Sequence, residues 1–433
     1  MSATTALRCL CLAALVATGL ASSRTDTADS VSKRLIHRRA TTLKSALRAT
    51  VNRAPKVHVS AADYVRLERE ATTDVGSTPV LACYYTYGAP YPDQLDTAVC
   101  THLILIGNCQ PFSNGTLIGF PNATIVSQLQ AVRRRSPSLK LLVSMTASGD
   151  NDNRPFSDMV LDESKMQSFA VLVREWLESS DMDGFDLDWE YPVFMHGRKT
   201  DKRGFSRLIK AMRAEFNRTT KGKYLQLTSA VGSPYTIVDD AYEVPELDKY
   251  LDLVFVMHYD IHDYYWYTPF TGHNAPMFKK SVEVWLLSRL NMVYSALYWL
   301  KSGMRKQKLV MGVPAYARGF TLLTSYLHSV YSPAVGYSKY GEDLHYDQVC
   351  ELLALGGYTR VWDKEAGVPY MYKDRDWISF EDTVSATRKA SWMKRMNLGG
   401  AMVYSLNNDD FSHRCANETF VITRALRHAL DRP

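Results

Sequence analysis

The segment MDGFDLDWEYP, residues 182–192, carries four carboxylic acids close together: Asp183, Asp186, Asp188 and Glu190. Alternate residues of a β-strand face the same side, so Asp186, Asp188 and Glu190 would project together. Crowded carboxylates cannot all stay ionised, so the pKa of at least one must rise. The segment therefore predicts a carboxylic acid that stays protonated near neutral pH and can donate a proton.

Two other interpretations of this segment fit less well. A solvated acidic strand would not alternate its acids with Phe185, Leu187 and Trp189, which suit a face packed under helices. A calcium loop would need the spacing D-x-D-x-D-G, which this segment lacks. The pattern favours a catalytic site.

Eight apolar or β-branched runs recur from residue 80 onward, and helical periodicity lies between several of them. The predicted strands are 80–85, 101–107, 139–145, 185–189, 225–231, 251–259, 308–314 and 399–406, and the predicted helices are 123–135, 164–179, 203–217 and 279–302. Parallel strands need helical crossovers, so this order predicts an α/β chain folded as a (β/α)₈ TIM barrel over residues 79–433. Periodicity alone leaves an open, doubly wound sheet as the alternative.

The connection between the seventh and eighth runs is too long for an ordinary barrel loop. Residues 379–396 are predicted as the seventh helix, capped by Ser379, and residues 320–378 as a small α+β insertion between strand 7 and helix 7. Barrel active sites lie at the C-terminal ends of the strands, so we expect the insertion to form one wall of a cleft there.

The N-terminus is typical of a secreted protein. Arg8 precedes an apolar run, residues 9–21, that ends in small residues, which predicts a signal peptide over 1–23; an uncleaved signal anchor is the alternative. No later run of about 18 apolar residues predicts a membrane span. Residues 24–78 are basic and predict a linker or a pro-segment cut at a dibasic site.

Composition and charge exclude two broad classes of protein. The chain of 433 residues is 46% hydrophobic, which excludes disorder throughout. Its net charge of +6 arises within residues 1–78, and the remainder carries 39 charged residues of each sign. A neutral body with a basic leader does not indicate a nucleic-acid partner.

Cysteines and sequons agree with an oxidising compartment. Five cysteines follow the predicted signal peptide, namely Cys83, Cys100, Cys109, Cys350 and Cys415, so two bridges and one free thiol are the most that can form. N-x-S/T sequons, which predict glycosylation in the secretory route, lie at Asn114, Asn122, Asn217 and Asn417.

The acidic segment resembles the D-x-x-D-x-D-x-E signature of the family 18 chitinases and their lectin-like relatives. Further motifs follow in that family's order: Cys83-Tyr84-Tyr85-Thr86 at the first strand, Met257-His258-Tyr259-Asp260 with Gly272-His273-Asn274-Ala275-Pro276, Gly312 to Arg318 at the seventh strand, and Gly399 to Val403 at the eighth. The resemblance covers residues 80 to the C-terminus, and the insertion is that of one subgroup.

The resemblance implies a retaining mechanism in which the substrate's own acetamido group is the nucleophile. Glu190 would protonate the glycosidic oxygen, Asp188 would stabilise the acetamido N–H, and Asp186 would share its proton. Tyr259 would bind the acetamido oxygen, and no metal or organic cofactor is needed. The substrate-binding residues are then Asp183, Tyr191, Met257, Asp260, Arg318, Tyr316, Tyr404 and Tyr84.

The resemblance also implies the pairs Cys83–Cys100 and Cys350–Cys415, which leaves Cys109 as the free thiol. Three aromatic positions depart from the family pattern. Residues 144–148 replace S-x-G-G-W, Tyr404 replaces a Trp, and Tyr87-Gly88 replaces N-W. Aromatic rings stack on sugar faces, so these changes predict an altered grip on the substrate.

We therefore predict a secreted, monomeric glycoside hydrolase that cleaves β-1,4-linked N-acetylglucosamine in chitin or chitooligosaccharides. After signal cleavage it would have no membrane attachment. Two alternatives share the fold: a non-catalytic chitooligosaccharide-binding lectin, against which the intact Glu190 and Asp188 argue, and an endo-β-N-acetylglucosaminidase that acts on N-glycans.

Overall fold

In a computed structural model of the protein, residues 54–60, 62–66, 78–106, 110–111, 117–146 and 153–432 are described. The predicted signal peptide, most of the predicted linker, Cys109 and Asn114 lie outside them. Within the described ranges, none of the helices has the length and apolar character needed to cross a bilayer.

Strands and helices alternate along most of the chain. The strands are β1 (Val80–Thr86), β2 (His102–Ile106), β3 (Gln110–Pro111), β4 (Leu117–Ile118), β5 (Lys140–Thr146), β6 (Gly184–Asp188), β7 (Gln226–Gly232), β8 (Leu253–Met257), β9 (Leu309–Pro314), β10 (Tyr316–Leu322), β11 (Ala334–Tyr337), β12 (Asp343–His345), β13 (Thr359–Asp363), β14 (Val368–Lys373), β15 (Asp376–Ser379) and β16 (Gly400–Tyr404). The α-helices are α1 (Ala123–Arg135), α2 (Arg154–Met159), α3 (Glu163–Ser180), α4 (Asp201–Phe216), α5 (Tyr235–Ala241), α6 (Val244–Tyr250), α7 (Met292–Lys301), α8 (Tyr346–Ala354), α9 (Thr383–Arg395) and α10 (Val421–Asp431).

The central element is a closed barrel in which β1, β2, β5, β6, β7, β8, β9 and β16 follow one another around the ring. Every neighbouring pair is parallel, and β16 closes the ring against β1. The predicted (β/α)₈ barrel is confirmed, and the open sheet is excluded because the ring is complete.

The alternation of β6 separates two packing environments. Phe185, Leu187 and Trp189 belong to the large core between the strands and the surrounding helices. Trp189 stacks on Phe156 of α2, with ring centroids 4.8 Å apart. The acids between these residues therefore face the barrel interior, as the sequence predicts.

The connection between β9 and α9 contains a separate small domain. Strands β10 to β15 form an antiparallel sheet, and α8 packs on it around an apolar cluster that includes Leu344, Val349, Met371 and Ile378. The predicted insertion is confirmed in place and type, although its first strand begins at Tyr316 rather than at residue 320.

Two helix boundaries differ from the prediction. The predicted helix over 279–302 is a loop with one 3₁₀ turn until Asn291, whose side chain accepts the Tyr294 N–H and begins α7. The cap of α9 is Asp382, which accepts the N–H groups of Val384 and Ser385, whereas Ser379 ends β15.

Part of the predicted linker contacts the barrel. Lys56 donates to the Asp239 carbonyl oxygen at 2.7 Å, and Lys301 donates to Asp63 at 2.9 Å. Val57, Val59 and Tyr64 pack against the outer core. Residues 54–60 and 62–66, which we call the N-terminal strap, are therefore attached to helices α5 and α7.

Candidate active site

A cavity of about 370 Å³ opens at the C-terminal ends of the barrel strands. This is the end of a parallel barrel where side chains from several strands can meet around one ligand. Its lining includes most of the predicted site residues, together with five apolar residues that the sequence did not indicate. The lining residues are Tyr84, Asp188, Glu190, Tyr191, Ala230, Pro234, Ile237, Met257, Tyr259, Asp260, Ile261, Leu290, Tyr316 and Tyr404.

Asp186 lies beneath the cavity and is fully buried. Three hydroxyl groups donate to its carboxylate: Tyr84 at 2.8 Å, Ser144 at 2.8 Å and Thr228 at 2.7 Å. Burial raises the pKa of Asp186, and the three hydrogen bonds oppose that rise because they stabilise the anion. Asp186 is thus held rigidly under the next acid of the strand.

Asp188 lines the cavity, and no hydrogen bond from the described part of the chain stabilises its ionised form. It is buried, and its Oδ1 has no hydrogen-bond partner among the described residues. Burial raises the pKa of Asp188 well above its ordinary value, and the nearby charges of Glu190 and Asp186 add to that rise. An unpartnered buried carboxylate oxygen is costly, so Asp188 is suited to accept a hydrogen bond from a ligand.

Glu190 follows the end of β6 and is partly exposed to the cavity. Burial raises the pKa of its carboxyl group, and the charge of Asp260 adds to this effect. A hydrogen bond from Tyr191 acts in the opposite direction. A glutamic acid with a raised pKa at the mouth of a cavity can serve as a general acid.

Tyrosine rings form much of the remaining wall. Tyr404 lies between Tyr84 and Tyr259, with ring centroids 5.9 and 5.6 Å away. Among the described residues, the Tyr259 hydroxyl has only a weak contact, with the sulfur of Met402 at 4.0 Å. Gly312 makes room for that ring, since a Cβ there would lie 3.0 Å from Tyr259 Cε1. Sequence reasoning missed this requirement for glycine.

Asp260 is positioned by the insertion as well as by the barrel. Its Oδ1 accepts hydrogen bonds from Tyr316 at 2.7 Å and from Arg318 Nη2 at 2.6 Å. Its backbone N–H donates to Asn274 Oδ1 at 2.8 Å, while its φ is +55°. Arg318 does not line the cavity; it braces Asp260 and also bonds Glu342 at 2.6 Å.

Asp183 does not belong to the cavity. It precedes β6 and lies at the opposite end of the strand from Glu190. Its Oδ2 accepts the Leu141 N–H at 2.8 Å and an Arg133 hydrogen bond at 3.1 Å. The expectation that Asp183 binds substrate is therefore wrong, because a strand of five residues separates it from the mouth.

Sequence reasoning missed two asparagines that organise the cavity rim. Asn153 donates to backbone carbonyls in the turn after Glu190. Asn274 holds the Asp260 backbone, and its Nδ2 donates to the Tyr316 carbonyl oxygen at 3.2 Å. The motif around Asn274 was a signal for the second residue, whereas no local pattern indicated the first.

The described residues contain no group of three or more His, Cys, Asp or Glu side chains placed to hold a metal ion. The predicted bridges Cys83–Cys100 and Cys350–Cys415 are both present. Three of the sequon residues, Asn122, Asn217 and Asn417, are exposed, and the Asn122 side chain also caps α1.

The barrel with acids at the end of β6 defines a class of proteins. The family model "Glycosyl hydrolases family 18" matches residues 80–409, and the chain belongs to that family.

Its relatives include both chitinases and binding proteins. Mouse chitotriosidase-1 is 32% identical over 377 residues, which is 83% of this chain and 79% of the relative. A group IV chitinase of Ostrinia furnacalis, solved in complex with allosamidin, has a TM-score of 0.75 at 29% identity; the match covers 81% of this chain and 98% of that one. Human YKL-39, described as a pseudo-chitinase with retained chitooligosaccharide binding, has a TM-score of 0.74 at 27% identity, and the match covers 82% of this chain and all of that one.

Proposed function

We propose that the protein is a secreted retaining hydrolase that cleaves β-1,4-linked N-acetylglucosamine in chitin or chitooligosaccharides. Glu190 donates its proton to the glycosidic oxygen as the bond to C1 breaks. The substrate's acetamido oxygen forms a bond to C1 in its place, giving a cyclised intermediate. Glu190 then takes a proton from water, which attacks C1 and reopens the ring with overall retention.

The observation that carries this proposal is the pairing of a protonatable Glu190 with Asp188, whose Oδ1 lacks a partner, in one cavity. The acetamido N–H of the substrate would satisfy that oxygen, and the anion would stabilise the positive charge of the cyclised intermediate. The Tyr259 hydroxyl is free to hold the acetamido oxygen for attack. Chitinase relatives and the allosamidin complex of one of them support this substrate class.

The altered aromatic positions favour one competing function, a lectin that binds the same oligosaccharides without cleaving them. Tyr404 lies where relatives commonly place a larger ring, and YKL-39 illustrates that a member can bind without hydrolysis. The intact Glu190 favours the enzyme, because binding alone does not need a proton donor.

Hydrolysis of a fluorogenic chitooligosaccharide series by the wild type and by Glu190→Gln tests the proposal. The substitution keeps the shape but removes the proton, so turnover should fall by at least about 10²- to 10⁴-fold while binding persists. Wild-type kcat/KM should decline on the alkaline side, where Glu190 loses its proton. Glu175→Gln, an exposed site on α3, serves as a control and should match the wild type. If the wild type binds these oligosaccharides without hydrolysing any of them, the proposed enzymatic function is wrong and the lectin function takes its place.

A further inference from the structure

The turn that follows Glu190 has an unusual backbone. Val193, Met195 and His196 have φ values of +71°, +46° and +68°, in the left-handed region. That region is unfavourable for residues with a Cβ, and most of all for β-branched valine. Such conformations persist only where surrounding contacts hold them. Contacts from outside the turn must therefore hold its backbone in this conformation.

Asn153 supplies those contacts. The side chain is fully buried, and its Nδ2 lies 3.0 Å from the Glu190 carbonyl oxygen, 3.1 Å from that of Tyr191 and 3.1 Å from that of Phe194. Its backbone N–H donates to the Met195 carbonyl oxygen at 3.1 Å. One residue thus binds four of the turn's carbonyl groups.

The orientation of the Asn153 amide follows from these acceptors. Three carbonyl oxygens surround Nδ2, so rotation of the amide would place oxygen against oxygen. The side-chain Oδ1 is buried and has no partner among the described residues. The three carbonyl acceptors outweigh the cost of that unpartnered oxygen, so the amide is held in the orientation in which its N–H groups donate to the turn.

We propose that Asn153 is a positioning residue for the catalytic acid, which it holds in place through the backbone of residues 190–194. This inference rests on the proposed function, since it assigns a role in the same proton transfer. The backbone carbonyl of Glu190 accepts a hydrogen bond from Asn153, while the side-chain carboxyl group of Glu190 faces the cavity. A shift of the turn therefore moves this carboxyl group relative to Asp188. Displacements of about 1 Å at a reacting group can cost roughly 100-fold in rate.

Asn153→Asp and Asn153→Leu test this role in the full-length protein. Asp keeps the shape but directs oxygen at three carbonyls, and Leu removes the donors without adding charge. With a fluorogenic chitooligosaccharide, kcat should fall by about 10- to 100-fold while KM changes by less than about 3-fold. The alkaline limb of kcat/KM for Asn153→Leu should move to lower pH, because a loosened turn admits water to Glu190.

Two controls separate positioning from general loss of structure. Asp162→Ala removes the cap of α3, and it should lower the thermal midpoint while leaving kcat and the pH profile unchanged. In a Glu190→Gln background, Asn153→Leu should cause no further loss of kcat. If Asn153→Leu does not fold, Asn153→Ser is the substitute, because its hydroxyl keeps one shorter donor. It should also lower kcat with little change in KM, but by a smaller factor.

The outcomes distinguish this inference from the proposed function. An inactive wild type removes the proposed function. An active wild type whose Asn153 variants keep kcat and the pH profile overturns the positioning role alone. Equal losses from Asn153→Leu with and without Glu190 would also overturn it, since the effect would then not pass through the acid.

Discussion

At the scale of single residues, the acids of β6 differ in what their neighbours donate to them. Asp186 receives three hydroxyl hydrogen bonds, whereas Asp188 Oδ1 receives none from the described residues. Asp188 and Glu190 also repel each other when both are ionised. The ionisation of one acid therefore opposes that of its neighbour, and burying these acids together costs folding free energy.

That cost leads to a prediction for Asp188→Asn. The pKa of Asp188 is raised in the folded state, so ionisation destabilises the fold above that pKa and has no effect below the unfolded value of about 3.9. Asp188→Asn should therefore raise the thermal midpoint at pH 7, and the gain should shrink toward pH 4, while turnover is lost. If the thermal midpoint rose equally at both pH values, the cause would be altered packing around residue 188 and not the loss of its titrating carboxyl group.

Asp183→Asn is the matched control, because this buried aspartate of the same segment is paired with Arg133 and Lys223. Removing its charge leaves Arg133 and Lys223 with only the exposed Asp181 as an acidic partner, so the midpoint at pH 7 should fall rather than rise. Turnover should change little, since Asp183 lies at the other end of the strand.

Tyr404 gives a second prediction at this scale. Its ring forms part of the cavity wall beside Tyr84 and Tyr259. Tyr404→Trp should tighten oligosaccharide binding or raise turnover, because a larger ring offers more stacking surface. Tyr404→Ala should weaken binding by roughly 0.5–1.5 kcal/mol beyond the lost contact area. Titration calorimetry with a chitooligosaccharide in a Glu190→Gln background measures the affinity of both variants, and unchanged affinities would place the sugar elsewhere.

The sequence predicts site residues well where strand periodicity or a motif determines their direction. Alternation along β6 correctly brings Asp186, Asp188 and Glu190 to one side. Asp183 is an odd number of positions from Asp186, so alternation gave no support for including it. Asn153 could not be predicted, because its contacts reach 37 to 41 positions along the chain and depend on the folded turn.

At the scale of elements, buried parallel strands have continuous apolar runs that periodicity detects, and this is why the barrel strands were predictable. The loop before α7 was not predictable, because residues 279–290 have an apolar pattern that resembles that of a helix. In the fold, Leu290 lines the cavity and Leu286 packs against the core, so tertiary contacts account for those apolar residues. A helix cap at Asn291 decides the boundary.

The insertion gives a prediction at the same scale. Cys350 of α8 and Cys415 after β16 close a loop of 65 positions, which ties the insertion to the barrel. In the chain-entropy model a bridge that closes a loop of this length stabilises the fold by about 4 kcal/mol. The double variant Cys350→Ser/Cys415→Ser should lose about that much in urea unfolding. The oxidised wild type is the reference, and an unchanged urea midpoint in the double variant would show that this bridge does not stabilise the fold.

At the scale of the whole molecule, the N-terminal strap joins two helices outside the barrel. The Tyr298 hydroxyl of α7 donates to Asp239 of α5 at 2.6 Å and accepts the Val57 N–H at 3.3 Å. Ile237 of the same short helix α5 lines the cavity, and so does Pro234 just before it. The strap therefore supports one wall of the cavity from behind, although its composition indicated a linker.

Two truncations test whether the strap is part of the folded protein. Removal of residues 1–53 leaves the strap in place and should keep the thermal midpoint of the longer chain. Removal of residues 1–66 exposes apolar surface beneath Val57, Val59 and Tyr64 and frees Lys301, so the free energy of unfolding should fall by roughly 1–3 kcal/mol. Lys301→Ala should reproduce a small part of that loss, whereas Lys249→Ala, at an exposed helix position, should not. If both truncated proteins unfold at the same temperature, the contacts of the strap with α5 and α7 add no stability to the fold.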